Sequence, residues 1–257
     1  MKKVLGCMFV VALMLAAATG ASAASFTLTA GATVGSPLSG TIPFLPLTNG
    51  FLGAGNLFPG QVTMGGWFGS TVNYSVSGVG SVTVEFFGGE AGFNDAFQYA
   101  GVTPAGFGHS GVPPAVFAPS LAAPLATFTT AIAGSGVLPF QFSVNGVIGG
   151  ATGGPVNGAN PLNTPGLPPN FFVACSAAGG GTPGAVAPPA IAPPVPCNGP
   201  IYVFLDDNGS NNDDDHDDYM VRITLTDGPP TVPEPTSFAL IGSGLLALGL
   251  VARRIRK

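Results

Sequence analysis

Glycine and proline restrict this chain to folds with little helix. Its 257 residues include 40 glycines and 26 prolines, whereas Lys and Arg together number only 7. Glycine and proline weaken helix interiors, and the long charged side chains that favour exposed helices are scarce. The 19 phenylalanines and many valines still supply apolar surface for a core, which disordered chains lack. The composition therefore favours a β-rich domain.

Several short segments alternate apolar and polar residues, as half-buried strands do. The sequence predicts strands at residues 24–33, 71–77, 81–87, 140–147, 200–205 and 219–226. The glycines around Val79 predict a hairpin turn between the second and third of these strands. We therefore expect a mainly β fold, an antiparallel β-sandwich or jelly roll with long Pro/Gly-rich loops. A smaller sheet with glycine-rich loops is the alternative.

The first 23 residues have the features of a secretory signal peptide. Lys2 and Lys3 precede an apolar run over residues 4–18, and Ala21 and Ala23 offer small residues for cleavage. We expect a signal helix over residues 1–23, export of the chain, and removal of the signal by signal peptidase.

Residues 232–257 form a second targeting segment. Residues 238–252 carry no charge, and four of the seven basic residues fall in the last five positions. A helix over about 236–255 would be apolar on all sides, as transmembrane helices are. The positive-inside rule places its basic end in the cytoplasm and the rest of the chain outside. We therefore expect a C-terminal transmembrane helix.

This tail resembles the PEP-CTERM sorting signal. The resemblance implies a bacterium with two membranes that makes extracellular polysaccharide, and processing near Pro-Glu-Pro by a membrane-embedded exosortase. It also implies delivery to the cell surface or extracellular matrix after transient anchoring in the inner membrane; a permanent single-span anchor is the alternative. The matching residues outside the uncharged run are Pro233, Glu234, Pro235, Arg253, Arg254 and Arg256.

Between the two targeting segments lies an acidic body, residues 24–231, which we expect to form one β-rich extracellular domain. It holds eleven Asp and Glu residues and one basic residue, Arg222. Such a charge excludes nucleic acid and anionic lipid as natural partners. A divalent cation or a basic partner suits it better.

Cys175 and Cys197 are the two cysteines of the body. In an exported chain, two such cysteines predict a disulfide. The bond would pin the base of a Pro/Gly/Ala-rich insertion at about residues 175–197. Metal binding by these two cysteines is not expected, because tetrahedral zinc needs four ligands.

Residues 206–218 concentrate seven of the body's acids between two predicted strands, which places them at the tip of a hairpin. Asp and Asn supply oxygen ligands of the kind that Ca²⁺ takes, although the spacing does not fit an EF-hand. A weak echo of the segment at residues 84–99 would bring Glu90 and Asp95 to the same rim. A solvated acidic loop is the alternative to a calcium site. The expected calcium ligands are Asp206, Asp207, Asp213, Asp215 and Asp217.

No catalytic motif is recognisable in the sequence. We expect His109 and His216 in surface loops and Trp67 in the core, and nothing fixes the separation of Glu85 and Glu90 as a carboxylate pair. The sequence therefore predicts a noncatalytic exported surface or matrix protein, sorted by an exosortase-type system and associated with extracellular polysaccharide. The alternatives are a calcium-dependent carbohydrate-binding or adhesion module and a secreted hydrolase.

Overall fold

A computed structural model describes most of the body and part of the tail. The described residues are 23–29, 44–45, 50–51, 57–59, 64–90, 92–111, 115–161, 168–176, 194–208, 216–228 and 235–255. Residues 1–22 of the predicted signal helix and the centre of the Pro/Gly/Ala-rich insertion therefore lie outside the described residues.

The described chain is mainly β, as predicted. The strands expected at residues 24–33, 140–147, 200–205 and 219–226 are confirmed to within a few residues. In chain order the strands are β1 (Ser25–Thr29), β2 (Phe44–Leu45), β3 (Met64–Gly65), β4 (Trp67–Phe68), β5 (Thr71–Gly89), β6 (Asp95–Tyr99), β7 (Gly108–His109), β8 (Val116–Phe117), β9 (Ala126–Val137), β10 (Phe140–Val144), β11 (Asn170–Cys175), β12 (Val195–Cys197), β13 (Ile201–Asp206) and β14 (Tyr219–Thr226).

Nine of these strands form one curled antiparallel sheet. Its order is β12-β1-β5-β14-β13-β11-β4, and β8 and β9 also pair with β5. A second sheet, β10-β6-β7, has three strands, and β2 pairs with β3. The antiparallel β class is thus confirmed, whereas the jelly-roll topology stays a prediction.

The hairpin predicted around Val79 is wrong. Residues 71–89 form one long strand, β5, which pairs with β9 along one edge from Asn73 to Phe86. Strands β1 and β14 follow one another along its other edge. The register with β9 shifts between Ser75 and Val79, so the glycines accommodate an irregularity within the strand rather than a turn.

The central strands of the large sheet are buried on both faces. On β13, the side chains of Ile201, Val203 and Leu205 join one apolar cluster, and those of Tyr202 and Phe204 join another. The first cluster also contains aromatic side chains of the three-stranded sheet, and the second contains the segment before β4. The core therefore has two layers, one on each side of the large sheet.

Cys175 and Cys197 form the predicted disulfide, with their Cα atoms 5.5 Å apart. Cys175 ends β11 beside Ile201 of β13, and Cys197 ends β12 beside Phe26 of β1. The bond thus joins the two strands between which the Pro/Gly/Ala-rich insertion leaves and re-enters the sheet.

The tail contains the helix α1 (Pro235–Ile255), which confirms a helix at the predicted position. Its last turn carries Arg253 and Arg254. Among the described residues, no helix has both the length and the apolar character needed to span a bilayer.

Candidate functional site

The acidic segment connects two strands of the large sheet, as predicted. β13 and β14 pair antiparallel, with Leu205 opposite Tyr219. Residues 209–215 lie outside the described residues. The described part of the segment contains four aspartates at the ends of the two strands, Asp206, Asp207, Asp217 and Asp218.

These four aspartates are buried. Asp206, Asp207 and Asp217 are each 2% exposed or less, and Asp218 is 8% exposed. The solvated loop considered as the alternative is therefore wrong for these four residues. A carboxylate removed from water needs hydrogen bonds or opposite charge in compensation.

Backbone N–H groups supply part of that compensation. Asp218 Oδ2 accepts a hydrogen bond from Asp207 N at 2.7 Å, and Asp207 Oδ2 accepts one from Phe93 N at 3.3 Å. Asp206 Oδ1 accepts one from Asn208 N at 3.1 Å. These bonds hold the ends of β13 and β14 together and tie the loop before β6 to them.

Asp217 links the hairpin to two other segments. Its Oδ2 accepts a hydrogen bond from Gly50 N at 2.5 Å. Its backbone carbonyl accepts one from Glu90 N at 3.0 Å, at the end of β5. Glu90 thus lies beside the hairpin, as the upstream echo predicts, but its side chain is exposed.

A fifth buried acid comes from the three-stranded sheet. Asp95 begins β6, pairs with Val144 and His109 on the neighbouring strands, and is 1% exposed. Its carboxylate contacts that of Asp207. Neither oxygen of Asp95 accepts a hydrogen bond from an N–H or O–H group within the described part of the chain. We refer to Asp95, Asp207 and Asp218 as the carboxylate cluster.

Burial and mutual repulsion disfavour the charged forms of this cluster. Burial, and after it the charge of Asp207, raises the pKa of Asp95 well above its usual range. The same two causes raise the pKa of Asp218, with the charges of Asp206 and Asp95 adding to them. The hydrogen bond from Asp207 N lowers the pKa of Asp218 but does not offset the rise. The cluster therefore holds protons near neutral pH unless a cation neutralises it.

Arg222, the one Lys or Arg of the body, pairs with Glu85 and not with the carboxylate cluster. Arg222 donates from Nε and Nη2 to the two carboxylate oxygens of Glu85, at 2.6 and 2.8 Å. Its Nη2 also donates to Leu121 O at 3.0 Å, and its guanidinium lies 5.3 Å from the centre of the Phe87 ring. Glu85 is thus one half of a bidentate ion pair rather than a partner of Glu90.

His216 is fully buried, which corrects the expectation of a surface position. Its ring centre lies 4.9 Å from that of Phe68 and 6.4 Å from that of Phe172. Its Nε2 lies 2.8 Å from Asn170 Oδ1 on β11. His216 therefore anchors the end of the acidic segment in the core.

Two other residues singled out in the sequence lie in or beside the core. Trp67 on β4 is buried, as predicted. His109 on β7 is half-buried, and that burial lowers its pKa.

The predicted calcium ligands coincide only in part with the carboxylate cluster. Asp207 belongs to it, and the charge of Asp206 acts on Asp218 from beside it. Among the described residues, no group of three or more His, Cys, Asp or Glu side chains could hold a metal ion. The remaining predicted ligands are Asp217, which binds Gly50 N, and Asp213 and Asp215, which lie outside the described residues.

The predicted site residues do not include Asp218. Asp95 was predicted to lie near the same rim but was not among the predicted calcium ligands. The signal for Asp95 is the echo at residues 84–99, where an Asn-Asp pair precedes a strand as the acidic segment precedes β14. The signal for Asp218 is its position directly before the apolar strand β14, which favours burial.

The predicted sorting residues divide between described and undescribed parts of the tail. Pro235, Arg253 and Arg254 belong to α1. Pro233, Glu234 and Arg256 lie outside the described residues.

Comparison with protein families gives a match in this tail. Residues 231–257 match the family described as the PEP-CTERM protein-sorting motif. The match places the chain in the class of exported proteins that an exosortase sorts. More particularly, the chain is a PEP-CTERM domain-containing protein. Comparison with curated proteins and with solved structures gave no match.

Proposed function

We propose that this chain is a noncatalytic surface or extracellular-matrix protein, processed first by signal peptidase and then by an exosortase. The observation that carries the proposal is the PEP-CTERM motif at residues 231–257. The motif implies processing by an exosortase. The uncharged run at 238–252, with the arginines that follow it, supports transient anchoring in the inner membrane before processing.

The body that this route delivers suits an extracellular matrix. Its eleven carboxylates against one arginine favour contact with cations and hydrated polysaccharide over nucleic acid. A disulfide at the base of the Pro/Gly/Ala-rich insertion is typical of exported domains. Association with the extracellular polysaccharide of the producing cell is therefore part of the proposal.

Two features support a noncatalytic role. A general base must reach the proton that it removes from a substrate. His216 is buried between two phenylalanine rings and bonded to Asn170, and Glu85 is bonded to Arg222. Neither side chain therefore offers a base at a substrate-binding surface.

Cell fractionation tests the proposal. The full chain would be produced in a diderm bacterium with an exosortase and in the same strain without it. We expect the chain in the matrix fraction of the first strain, released by enzymes that degrade the polysaccharide, and in the membrane fraction of the second. Replacing Pro233, Glu234 and Pro235 with alanine should give the membrane fraction in both strains, whereas the control Glu90→Gln should behave as the wild type.

Two results would contradict the proposal. If the alanine variant reached the matrix as the wild type does, the tail would not be acting as a sorting signal. If the purified full chain released new reducing ends from the polysaccharide, the noncatalytic role would be wrong.

A further inference from the structure

The strand β9 is a long, uncharged edge of the large sheet. It has 12 residues, and of the described strands only β5 pairs with it. An edge strand presents a row of unpaired N–H and C=O groups, and natural proteins commonly protect such edges with charged side chains, with proline or by keeping the strand short. β9 has none of these three protections. Residues 96–205 contain no Asp, Glu, Lys or Arg, and Ala126–Val137 contains no proline.

Alternate residues of β9 direct their backbone groups away from β5. Phe86 O accepts a hydrogen bond from Leu125 N at 2.8 Å, so the backbone of Phe86 faces β9. Successive residues of an antiparallel strand direct their N–H and C=O groups to opposite edges. Because Phe86 lies opposite Ala126, the even-numbered residues of the regular part of β9 face β5, and the odd-numbered residues face the outer edge. The residues that face outward are Thr127, Thr129, Ala131 and Ala133, and their side chains are exposed.

We propose that β9 pairs antiparallel with β9 of a second copy of this chain. Addition of a strand to an exposed sheet edge is a recurring mode of association, in which main-chain hydrogen bonds supply the affinity. The body has eleven acids and one Arg, so two copies repel each other over much of their surface, and an uncharged edge is the place where they can meet. Glu85, the one acid of β5, lies opposite Thr127, and Arg222 neutralises it.

The edge is self-complementary about a two-fold axis at Ala131. Leu125 and Val137 lie equally far from Ala131 on either side, and these apolar side chains are 43% and 49% exposed. A two-fold axis perpendicular to the sheet at Ala131 sets Leu125 of one copy opposite Val137 of the other, and Thr129 opposite Ala133. The small Thr and Ala side chains let the two strands approach to the usual spacing. The pairing therefore covers exposed apolar surface and continues the large sheet into the second copy.

The inference does not rest on the proposed sorting, and sedimentation equilibrium of the purified full chain, in one detergent throughout, tests it. We expect the wild type to form dimers. Ala131→Glu should weaken their association about fivefold or more, because like charges then meet across the axis. Ala131→Pro should also separate the copies, because it removes an N–H group of the outer edge, where proline leaves the pairing with β5 intact. Both variants keep α1, so any association through the tail is common to all the chains compared.

Cross-linking locates the interface. Residues directly opposite each other in an antiparallel pair have Cα atoms about 4.5–5.5 Å apart, which is within the range of a disulfide. Cys7→Ala leaves only the cysteines of the native disulfide, and in that background Ala131→Cys should form a linked dimer on mild oxidation.

The control position is Ala151, an exposed alanine in the turn between Ile148 and Gly154. Ala151→Glu should associate as the wild type does, and Ala151→Cys should not cross-link. Melting curves check folding, and Ala131→Glu and Ala131→Cys should melt close to the wild-type temperature because this side chain is exposed. A wild type that sediments as a single chain at every concentration would overturn the inference. Equal association of the wild type and Ala131→Glu, or equal cross-linking at residues 131 and 151, would place the contact elsewhere and overturn it as well.

Discussion

The ring of His216 lies fully buried between Phe68 and Phe172, although both of its sequence neighbours are aspartates. Composition alone places such a residue at the surface, because the surrounding segment is the most polar in the chain. The structure shows that the end of this segment is drawn into the core by one imidazole ring and its bond to Asn170. A buried polar ring with a partner stabilises the fold, and removing it leaves both a cavity and an amide without that contact.

Replacing His216 with alanine should therefore lower the free energy of unfolding by about 2–4 kcal/mol, by analogy with the loss of other large buried side chains. Urea unfolding of the full chain measures the change. The matched control is His109→Ala on β7, where the half-buried ring should cost about 1 kcal/mol or less. Equal costs for the two variants would contradict the buried position of His216.

The ion pair of Arg222 and Glu85 is a contact that could not be predicted from the sequence, because it depends on the register between two strands. The two residues are 137 positions apart and meet because β14 pairs with β5 in a register that places Arg222 opposite Glu85. The sequence contains Arg222 as the one Lys or Arg of the body, whereas the strand register that brings it to Glu85 depends on the tertiary structure. The same holds for Asp95 and Asp207, which meet through the contact of two sheets.

At the level of secondary structure, the difference between prediction and structure is clearest in β5. The glycines at residues 78 and 80 indicate a turn, yet the chain continues as a strand between β9 and β14. Gly80 permits a close approach there, because a Cβ atom at this position would lie 2.4 Å from Thr226 O. A real Cβ atom cannot come so near a carbonyl oxygen, so the neighbouring strand would have to shift.

Gly80→Ala is therefore expected to destabilise the protein by about 1–3 kcal/mol, as overpacking does. The matched control is Gly136→Ala on β9, where a Cβ atom would find its nearest neighbour, the Tyr74 ring, at 3.8 Å. That change should be neutral or stabilise by up to about 1 kcal/mol, because alanine reduces the freedom of the unfolded chain. If both variants unfolded at the same urea concentration as the wild type, residue 80 would not lie in a closely paired strand.

The disulfide links two strands, because Cys175 lies on β11 and Cys197 lies on β12. Its two cysteines are 22 residues apart in sequence. Loop-closure entropy then predicts that Cys175→Ala with Cys197→Ala lowers the free energy of unfolding by about 3 kcal/mol. Unfolding of the double variant and of the oxidised wild type, both without reductant, measures this difference. An unchanged stability would show that the bond does not constrain the unfolded chain.

Part of the fold could be predicted where buried and half-buried residues alternate along a strand, as in β1 and the middle of β14, because that alternation shows in the sequence. β11 escaped prediction because it is buried on both faces and reads as a short apolar run beside a Pro-rich segment. The acidic segment was placed correctly in a hairpin, but its burial depends on packing between sheets. Composition identifies an acidic segment, whereas only the tertiary structure shows which carboxylates leave the solvent.

For the whole molecule, positive and negative charges are distributed differently: most basic residues lie near the two ends of the chain, and most acidic residues lie in the body. Six of the seven basic residues lie in the first three or the last five positions of the chain, and the body between them is acidic apart from Arg222. The described body is a large curled β sheet with apolar layers on both faces. We therefore propose an acidic β domain that the PEP-CTERM motif at residues 231–257 and the predicted N-terminal signal peptide deliver outside the cell.

The most direct test of this account is the intact mass of the chain recovered from cells with and without an exosortase. In cells with the enzyme, we expect a chain that lacks about residues 1–23 and ends near Pro233 to Pro235, without α1 and the terminal arginines. In cells without the enzyme, the same N-terminus should be found together with a C-terminus at Lys257. A chain that keeps Lys257 in both strains would contradict sorting by an exosortase.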